Sequence, residues 1–136
     1  MNNLTLALSD LGSYDEALTL RQQALDLDKK ILGEEHPYTL NAADTLSLIL
    51  SKLGRHDEAE TLQNETLALC EKVLGDEDEL TITVMKNLTE ILYDGGKVEK
   101  ALLMIGVAEI LAQEIFGEDS HKTKEIIELH EKFLNG

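Results

Sequence analysis

The amino-acid sequence predicts an all-α fold, an α-solenoid of antiparallel helical hairpins. The first observation is a period: three stretches, each starting 42 residues after the previous one, carry matching residues. The second is that apolar residues between the matching glycines recur at helical spacing. A fixed period of this size is typical of arrays in which each unit buries its apolar face against its neighbours. The matching sets include Leu4, Leu46 and Leu88; Gly12, Gly54 and Gly96; Ala17, Ala59 and Ala101; Gly33, Gly75 and Gly117; and Thr39, Thr81 and Thr123.

The second unit shows the two helices of a hairpin. Apolar residues recur at helical spacing over 43–53, and Gly54 ends this helix because glycine readily adopts the left-handed conformation. We expect the helix to begin near Thr39, whose hydroxyl can cap its first turn. Asp57 and Glu58 open the second helix, since carboxylates favour a helix N-terminus. The small side chain of Ala59 predicts that the two helices approach closely at this position.

The other units follow the same plan. They predict helices over 2–11 and 14–32 in unit one, 80–93 and 98–116 in unit three, and a final capping helix over 121–134. The chain is thus one repeat domain, 1–136, with units at about 1–37, 38–79 and 80–121. Because unit one lacks the opening turn of the others, we expect the chain to be a fragment of a longer array.

The composition is strongly acidic. The chain has 27 acidic and 12 basic residues, a net charge of −15. Phosphates would be repelled, so nucleic acid and anionic membranes are not expected as partners. A basic protein segment is favoured electrostatically. The alternative is that the acidic residues form a solvated face that keeps the array soluble.

No chemistry beyond binding is predicted. Cys70 is the single cysteine, so no internal disulfide can form, which fits a reducing, cytoplasmic location. Gly95–Gly96 lacks the strand that precedes a phosphate-binding loop, and 76–79 lacks the glycine and later glutamate of a calcium loop. We therefore expect no enzyme activity, no metal and no cofactor.

One segment is similar to a known family. The run Leu-Gly-Glu-Glu-His-Pro-Tyr-Thr over 32–39, after Gly-Ser-Tyr-Asp-Glu-Ala over 12–17, resembles the tetratricopeptide repeat in the 42-residue form of kinesin light chains. The later units carry Asp78–Glu79 and Ser120–His121 in place of His-Pro. The resemblance covers nearly the whole chain. It implies a right-handed superhelix, no catalytic residues, and a concave groove lined by the first helix of each hairpin.

The resemblance also implies a set of groove residues. Only Lys52 and Lys86 among them are basic, which does not favour a clamp for a partner's terminal carboxylate. The leading hypothesis is a non-catalytic scaffold that binds a peptide or helix segment of another protein, and that segment is expected to be basic. The alternative is a structural element that self-associates through exposed ends of the array, such as Met1, Leu4 and Leu8. The groove candidates are Asn2, Leu6, Asp10, Asn41, Asp44, Leu48, Lys52, Thr83, Lys86, Glu90, Tyr93 and Asp94.

Overall fold

A computed structural model of the chain describes residues 14–136. In this range the secondary structure is helical, without strands, which confirms the all-α prediction. The helix predicted over 2–11 lies outside the described residues. The helices are α1 (Tyr14–Ile31), α2 (Pro37–Lys52), α3 (His56–Val73), α4 (Glu79–Asp94), α5 (Val98–Phe116) and α6 (His121–Asn135).

The helices stack in chain order. Each one packs against the helix before it and the helix after it, and α2 also packs against α4. Contacts between sequence neighbours of this kind define a solenoid, in which stability comes from the interfaces between successive units. The helices α2, α4 and α6 are the first helices of their hairpins, and α1, α3 and α5 are the second helices.

The buried apolar residues form two clusters that follow one another along the array. One cluster, which includes Leu25 and Leu46, joins α1 and α2 to the following helices. A second cluster, which includes Leu88 and Ile105, joins α2 to α6. Ala59 and its repeat equivalents Ala17 and Ala101 are each 0% exposed, as expected of small residues inside a helical hairpin. Each cluster therefore joins more than one hairpin.

Each first helix is capped by the residue three positions before the repeated threonine. The N-cap of α2 is His36, whose Nδ1 accepts a hydrogen bond from the Tyr38 N–H at 3.1 Å. One and two periods later, Asp78 Oδ1 accepts from the Leu80 N–H at 2.9 Å, and Ser120 Oγ accepts from Lys122 at 3.3 Å. The residues that differ from the family's His-Pro thus perform the same capping role. Any side chain with an acceptor at this position can satisfy the free amides.

The predicted role of Thr39 as the cap was wrong. Thr39, Thr81 and Thr123 lie inside the first turns of their helices and are at most 2% exposed. The Thr123 hydroxyl donates to the carbonyl of Ala112 in α5, at 3.1 Å. This threonine position repeats because it packs a first helix against the preceding hairpin.

Two glycines differ in backbone conformation: Gly54 is left-handed and Gly106 is helical. Gly54 follows the end of α2 with φ +81°, as predicted, a conformation that L side chains rarely adopt. Gly106 lies in the middle of α5, where a Cβ would meet no atom within 4 Å. Its backbone is helical, so the glycine there serves no local packing requirement.

We expect Ala59→Leu to destabilise the array by about 1–3 kcal/mol, because the larger side chain overpacks a fully buried position. Urea unfolding followed by circular dichroism measures this loss. The matched control is Ala68→Leu, an exposed site on the same helix, for which the change should stay within about 0.5 kcal/mol. Equal effects at both sites would contradict the packing explanation.

We also expect two glycine substitutions to act with opposite sign. Gly106→Ala should raise the free energy of unfolding by about 0.5–1 kcal/mol, since alanine restricts the unfolded chain and fits the helix. Gly54→Ala should lower it by about 1 kcal/mol or more, because alanine at positive φ is strained. The midpoints of thermal unfolding test both, and a shift in the same direction for both variants would refute the assignment.

Candidate functional site

The groove candidates of the described residues lie on the first helices, and they differ in accessibility. Asn41, Lys52 and Asp94 are exposed, and Asp44 is buried. Asn2, Leu6 and Asp10 lie outside the described residues. The accessible candidates form what we call the first-helix face. Its exposed members are Asn41, Lys52 and Asp94, and its half-buried members are Leu48, Thr83, Lys86, Glu90 and Tyr93.

Asp44 belongs to the interior, although it was predicted as a groove residue. It is 5% exposed, and its Oδ1 accepts a hydrogen bond from Gln63 Nε2 at 2.5 Å. Asn87 Nδ2 donates to both carboxylate oxygens, at 3.1 and 3.0 Å. Gln63 Nε2 also donates to the carbonyl of Val84, at 3.1 Å. The three side chains form a buried polar cluster that joins α2, α3 and α4.

Gln63 and Asn87 were missed as members of this cluster. The signal for Gln63 was available: it is a polar residue on the apolar stripe of α3, between Ala59 and Leu67. An amide on such a stripe has to find partners inside the protein, because an unpaired buried polar group is costly. The sequence does not identify the partner, since Asn87 is 43 residues from Asp44.

Burial raises the pKa of Asp44 above its ordinary value. The hydrogen bonds from Gln63 and Asn87 and the charge of Lys86 lower the pKa, but the cost of burying the carboxylate prevails. We therefore expect the stability contributed by this cluster to depend on pH.

Two contacts link α4 to α6 at the next interface. The rings of Tyr93 and Phe133 stack with their centroids 4.3 Å apart and their planes at 7°. Lys86 Nζ lies 3.9 Å from Glu125 Oε2. These contacts hold two predicted groove residues, Tyr93 and Lys86, on the side of α4 that approaches α6.

A small cavity of about 220 Å³ adjoins Lys86. Thr83 and Lys86 line it from α4, and Lys122 and Glu125 line it from α6. The Lys122 ammonium lies 5.9 Å from the ring centroid of Phe116, which closes the other wall. The arrangement offers hydrogen-bond donors and acceptors beside apolar surface, which suits contact with a polypeptide.

The single cysteine, Cys70, is buried and its thiol is not activated. Cys70 is fully buried in the second apolar cluster. Burial first, then the charges of Asp44, Asp78 and Glu71, raise the pKa of its thiol to about 11. The thiol therefore stays protonated at neutral pH, where a reactive cysteine would be a thiolate.

We expect Asp44→Asn to change the pH dependence of stability. Because the pKa of Asp44 is raised in the folded state, protonation of this carboxyl favours the folded protein over the unfolded chain. The resulting stabilisation is complete below the pKa of the unfolded state. The contribution is lost as pH rises through the folded pKa. Relative to Asp44→Asn, the wild type should therefore lose stability as the pH rises above the ordinary pKa of an aspartate, about 4. Urea unfolding at a series of pH values measures the difference.

Asp119→Asn, at an exposed loop position, is the matched control for Asp44→Asn and should run parallel to the wild type. Asp44→Ala, which removes the carboxylate that accepts from the Gln63 and Asn87 amides, should cost about 2–4 kcal/mol at low pH and less as the pH rises. A difference between wild type and Asp44→Asn that does not change with pH would contradict the burial of this carboxylate.

Comparison with known proteins identifies the repeat. A family model described as the tetratricopeptide repeat matches residues 1–69 and 45–108. No curated protein matches the chain. Among the described helices, none is long and apolar enough to cross a lipid bilayer.

Two solved structures resemble the fold. One is a Podosopora anserina protein assigned as a kinesin light chain with nearly identical TPR-like repeats, with TM-score 0.87 and 19% identity. The match covers 96% of this chain and 62% of that one. The other is BtubC (BKLC) from P. vanneervenii, with TM-score 0.79 and 20% identity over 97% of this chain and 54% of that one. The chain thus spans less than two thirds of either protein.

The family match indicates a general function. Tetratricopeptide repeats mediate protein–protein interactions by binding other proteins or peptides, and proteins built from them are typically non-catalytic scaffolds. The repeat model matches more than half of the residues. The chain therefore belongs to the tetratricopeptide repeat family.

Proposed function

We propose that the first-helix face binds an extended peptide or a helix segment of a basic partner protein. The observation that carries the proposal is the side-by-side packing of α2 and α4, together with the contacts that join α4 to α6. First helices placed in a row present one continuous surface, and recognition by such a surface needs no loop or cofactor.

The composition of the face supports a polypeptide ligand. Leu48 and Tyr93 supply partly exposed apolar surface. Asn41 and Thr83 are polar and accessible, so they can bond a peptide backbone. Aromatic side chains contribute strongly to interfaces, which makes Tyr93 the expected anchor.

The charge argument favours a basic ligand. Glu90 and Asp94 are accessible carboxylates near the end of α4. Lys86 is close to Glu125, which offsets part of its charge. With a net charge of −15 for the whole chain, a cationic segment is attracted at long range and held by these carboxylates at short range.

The test measures binding of an array of basic, neutral and acidic peptides at low and high ionic strength. We expect the tightest binders to be basic and to weaken with added salt, because salt screens exposed charges. Glu90→Lys/Asp94→Lys should weaken their binding by about tenfold or more. Lys52→Glu/Lys86→Glu should strengthen it.

The matched control is Glu65→Lys/Asp119→Lys, which makes the same change in net charge at exposed positions outside the first-helix face. It should reduce affinity far less, because it affects only the long-range attraction. If both double variants weakened binding equally, the face would not be the site. Tight, salt-insensitive binding of acidic peptides would refute the basic partner.

Self-association remains the alternative. Its predicted contact around Met1, Leu4 and Leu8 lies outside the described residues, so light scattering over a dilution series is the direct test. A strict monomer at high concentration would exclude it. We also propose a cytoplasmic location, which the single, buried Cys70 suits because a reduced thiol is stable there.

A further inference from the structure

The helix α5 carries three exposed apolar residues at positions where α1 and α3 carry no large apolar side chain. Leu103, Val107 and Ile110, called here the α5 stripe, are 75%, 51% and 56% exposed. They are spaced at i, i+4 and i+7, so they lie on one face of the helix. Exposed apolar residues that form a continuous patch, unlike scattered ones, mark interaction sites.

The repeat itself supplies the internal control. One period earlier, α3 carries Thr61, Glu65 and Ala68 at these positions, all exposed. Two periods earlier, α1 carries Thr19, Gln23 and Asp26, also exposed. The same scaffold position therefore accepts polar residues, and folding does not require the α5 stripe to be apolar.

An apolar groove lies beside the stripe. The cavity between α3 and α5 has a volume of about 510 Å³, and Met85 and Leu92 of α4 contribute to its lining. The α5 stripe contributes Leu103 and Val107 to one wall. On the opposite wall, Glu60 and Glu71 are 11 positions apart on α3, which is about 16 Å along a helix. This length matches about three turns of a helical ligand.

A further hairpin stacked in the same manner would not cover the stripe. The α3 residues that line the groove next to α5 include Glu60, Asn64 and Glu71. Their equivalents one period later are Leu102, Gly106 and Gln113, which lie to one side of the stripe. Continuation of the array would therefore pack beside those residues and leave the stripe open.

The charges around the groove favour a cationic ligand. Glu99 precedes Leu103 by one turn, and Glu114 follows Ile110 by one turn, so carboxylates bound the stripe at both ends. Neither has an ion-pair partner within residues 14–136. At the rim of the groove, burial and the neighbouring Asp76 carboxylate raise the pKa of Glu71. Neither Glu71 nor Asp76 has an ion-pair partner in the part of the chain that the structure describes.

The cations near the groove are already paired. Lys97 Nζ lies 2.5 Å from Glu60 Oε1, and Lys100 Nζ lies 3.9 Å from Glu60 Oε2. A second copy of the chain is a poor occupant, because antiparallel pairing of two stripes would bring Glu99 of one against Glu114 of the other. Like charges in that position oppose association.

We propose that the α3–α5 groove and the α5 stripe form a docking surface for an amphipathic helix of another protein, apolar along one face and carrying lysine or arginine at both ends. Its apolar face fills the groove, where Met85 and Met104 can adapt to the side chains presented. The cationic ends meet Glu99 at one end and Glu71 and Glu114 at the other. This surface is additional to the first-helix face, since Met85 and Leu92 lie on a different side of α4 from Lys86 and Glu90.

The experiment titrates the full chain against a fluorescein-labelled helical peptide of about 18 residues, with leucines at helical spacing and lysines at both ends. Fluorescence anisotropy reports binding. The key variant is Leu103→Thr/Val107→Glu/Ile110→Ala, which installs the residues that α3 carries at the same positions. We expect its affinity to fall by about tenfold or more. Because Val107→Glu adds a carboxylate, non-specific attraction of a basic peptide would instead increase.

Further variants separate the contributions. Glu99→Gln/Glu114→Gln should weaken binding about three- to tenfold and reduce its salt dependence. Glu90→Lys/Asp94→Lys, on the first-helix face, should have a far smaller effect, so this proposal and the proposed function can fail separately. A peptide of the same composition in scrambled order, without an apolar face, should bind the wild type weakly.

Circular dichroism establishes that the triple variant is folded, and Leu103→Thr and Ile110→Ala serve as single variants if it is not. Equal affinity of wild type and folded variants for the peptide would overturn the proposal. Sedimentation that shows a wild-type dimer lost in the triple variant would also overturn it, because the occupant would then be a second copy.

Discussion

Every structural feature of this chain depends on the way a hairpin of two helices buries its apolar stripes only against its neighbours in the sequence. Such a hairpin has too little apolar surface to fold alone, so buried apolar clusters join successive units from α1 to α6. The fully buried alanines at the closest helix contacts and the left-handed glycines after the helices recur for this reason. Residues outside these positions are free to differ.

The elements that repeat could be predicted from the sequence, because the same packing requirement acts three times. The bounds of α1, α5 and α6 agree with the predicted helices to within a residue, and Gly54 follows α2 as expected. The capping residue was assigned wrongly, since Thr39 carries a hydroxyl three residues after His36 and both types can accept a hydrogen bond. Only the backbone geometry shows that His36 precedes the helix and Thr39 lies within it.

The candidate site was less predictable, since equivalent positions share a backbone environment without sharing side-chain partners. Asp44 and Lys86 are one period apart, yet Asp44 is short and contacts buried amides, whereas Lys86 is long and approaches Glu125. The position of Gln63 shows the same effect, because its equivalents are Arg21 and Ile105. Accessibility therefore had to be read from the three-dimensional arrangement. The α5 stripe was absent from the sequence analysis because apolar residues on a helix were interpreted as core.

The two interfaces between successive first helices, called joints here, differ in the type of contact that they contain. The joint between α2 and α4 contains directional hydrogen bonds from Asn87 to a carboxylate, while the joint between α4 and α6 contains stacked rings. Directional bonds restrict rotation of one hairpin on the next, whereas stacked rings can slide over each other with little loss of contact. We therefore expect rotation of one hairpin on the next to be more restricted between α2 and α4 than between α4 and α6. A ligand that contacts all three first helices would then be accommodated mainly by adjustment at α6.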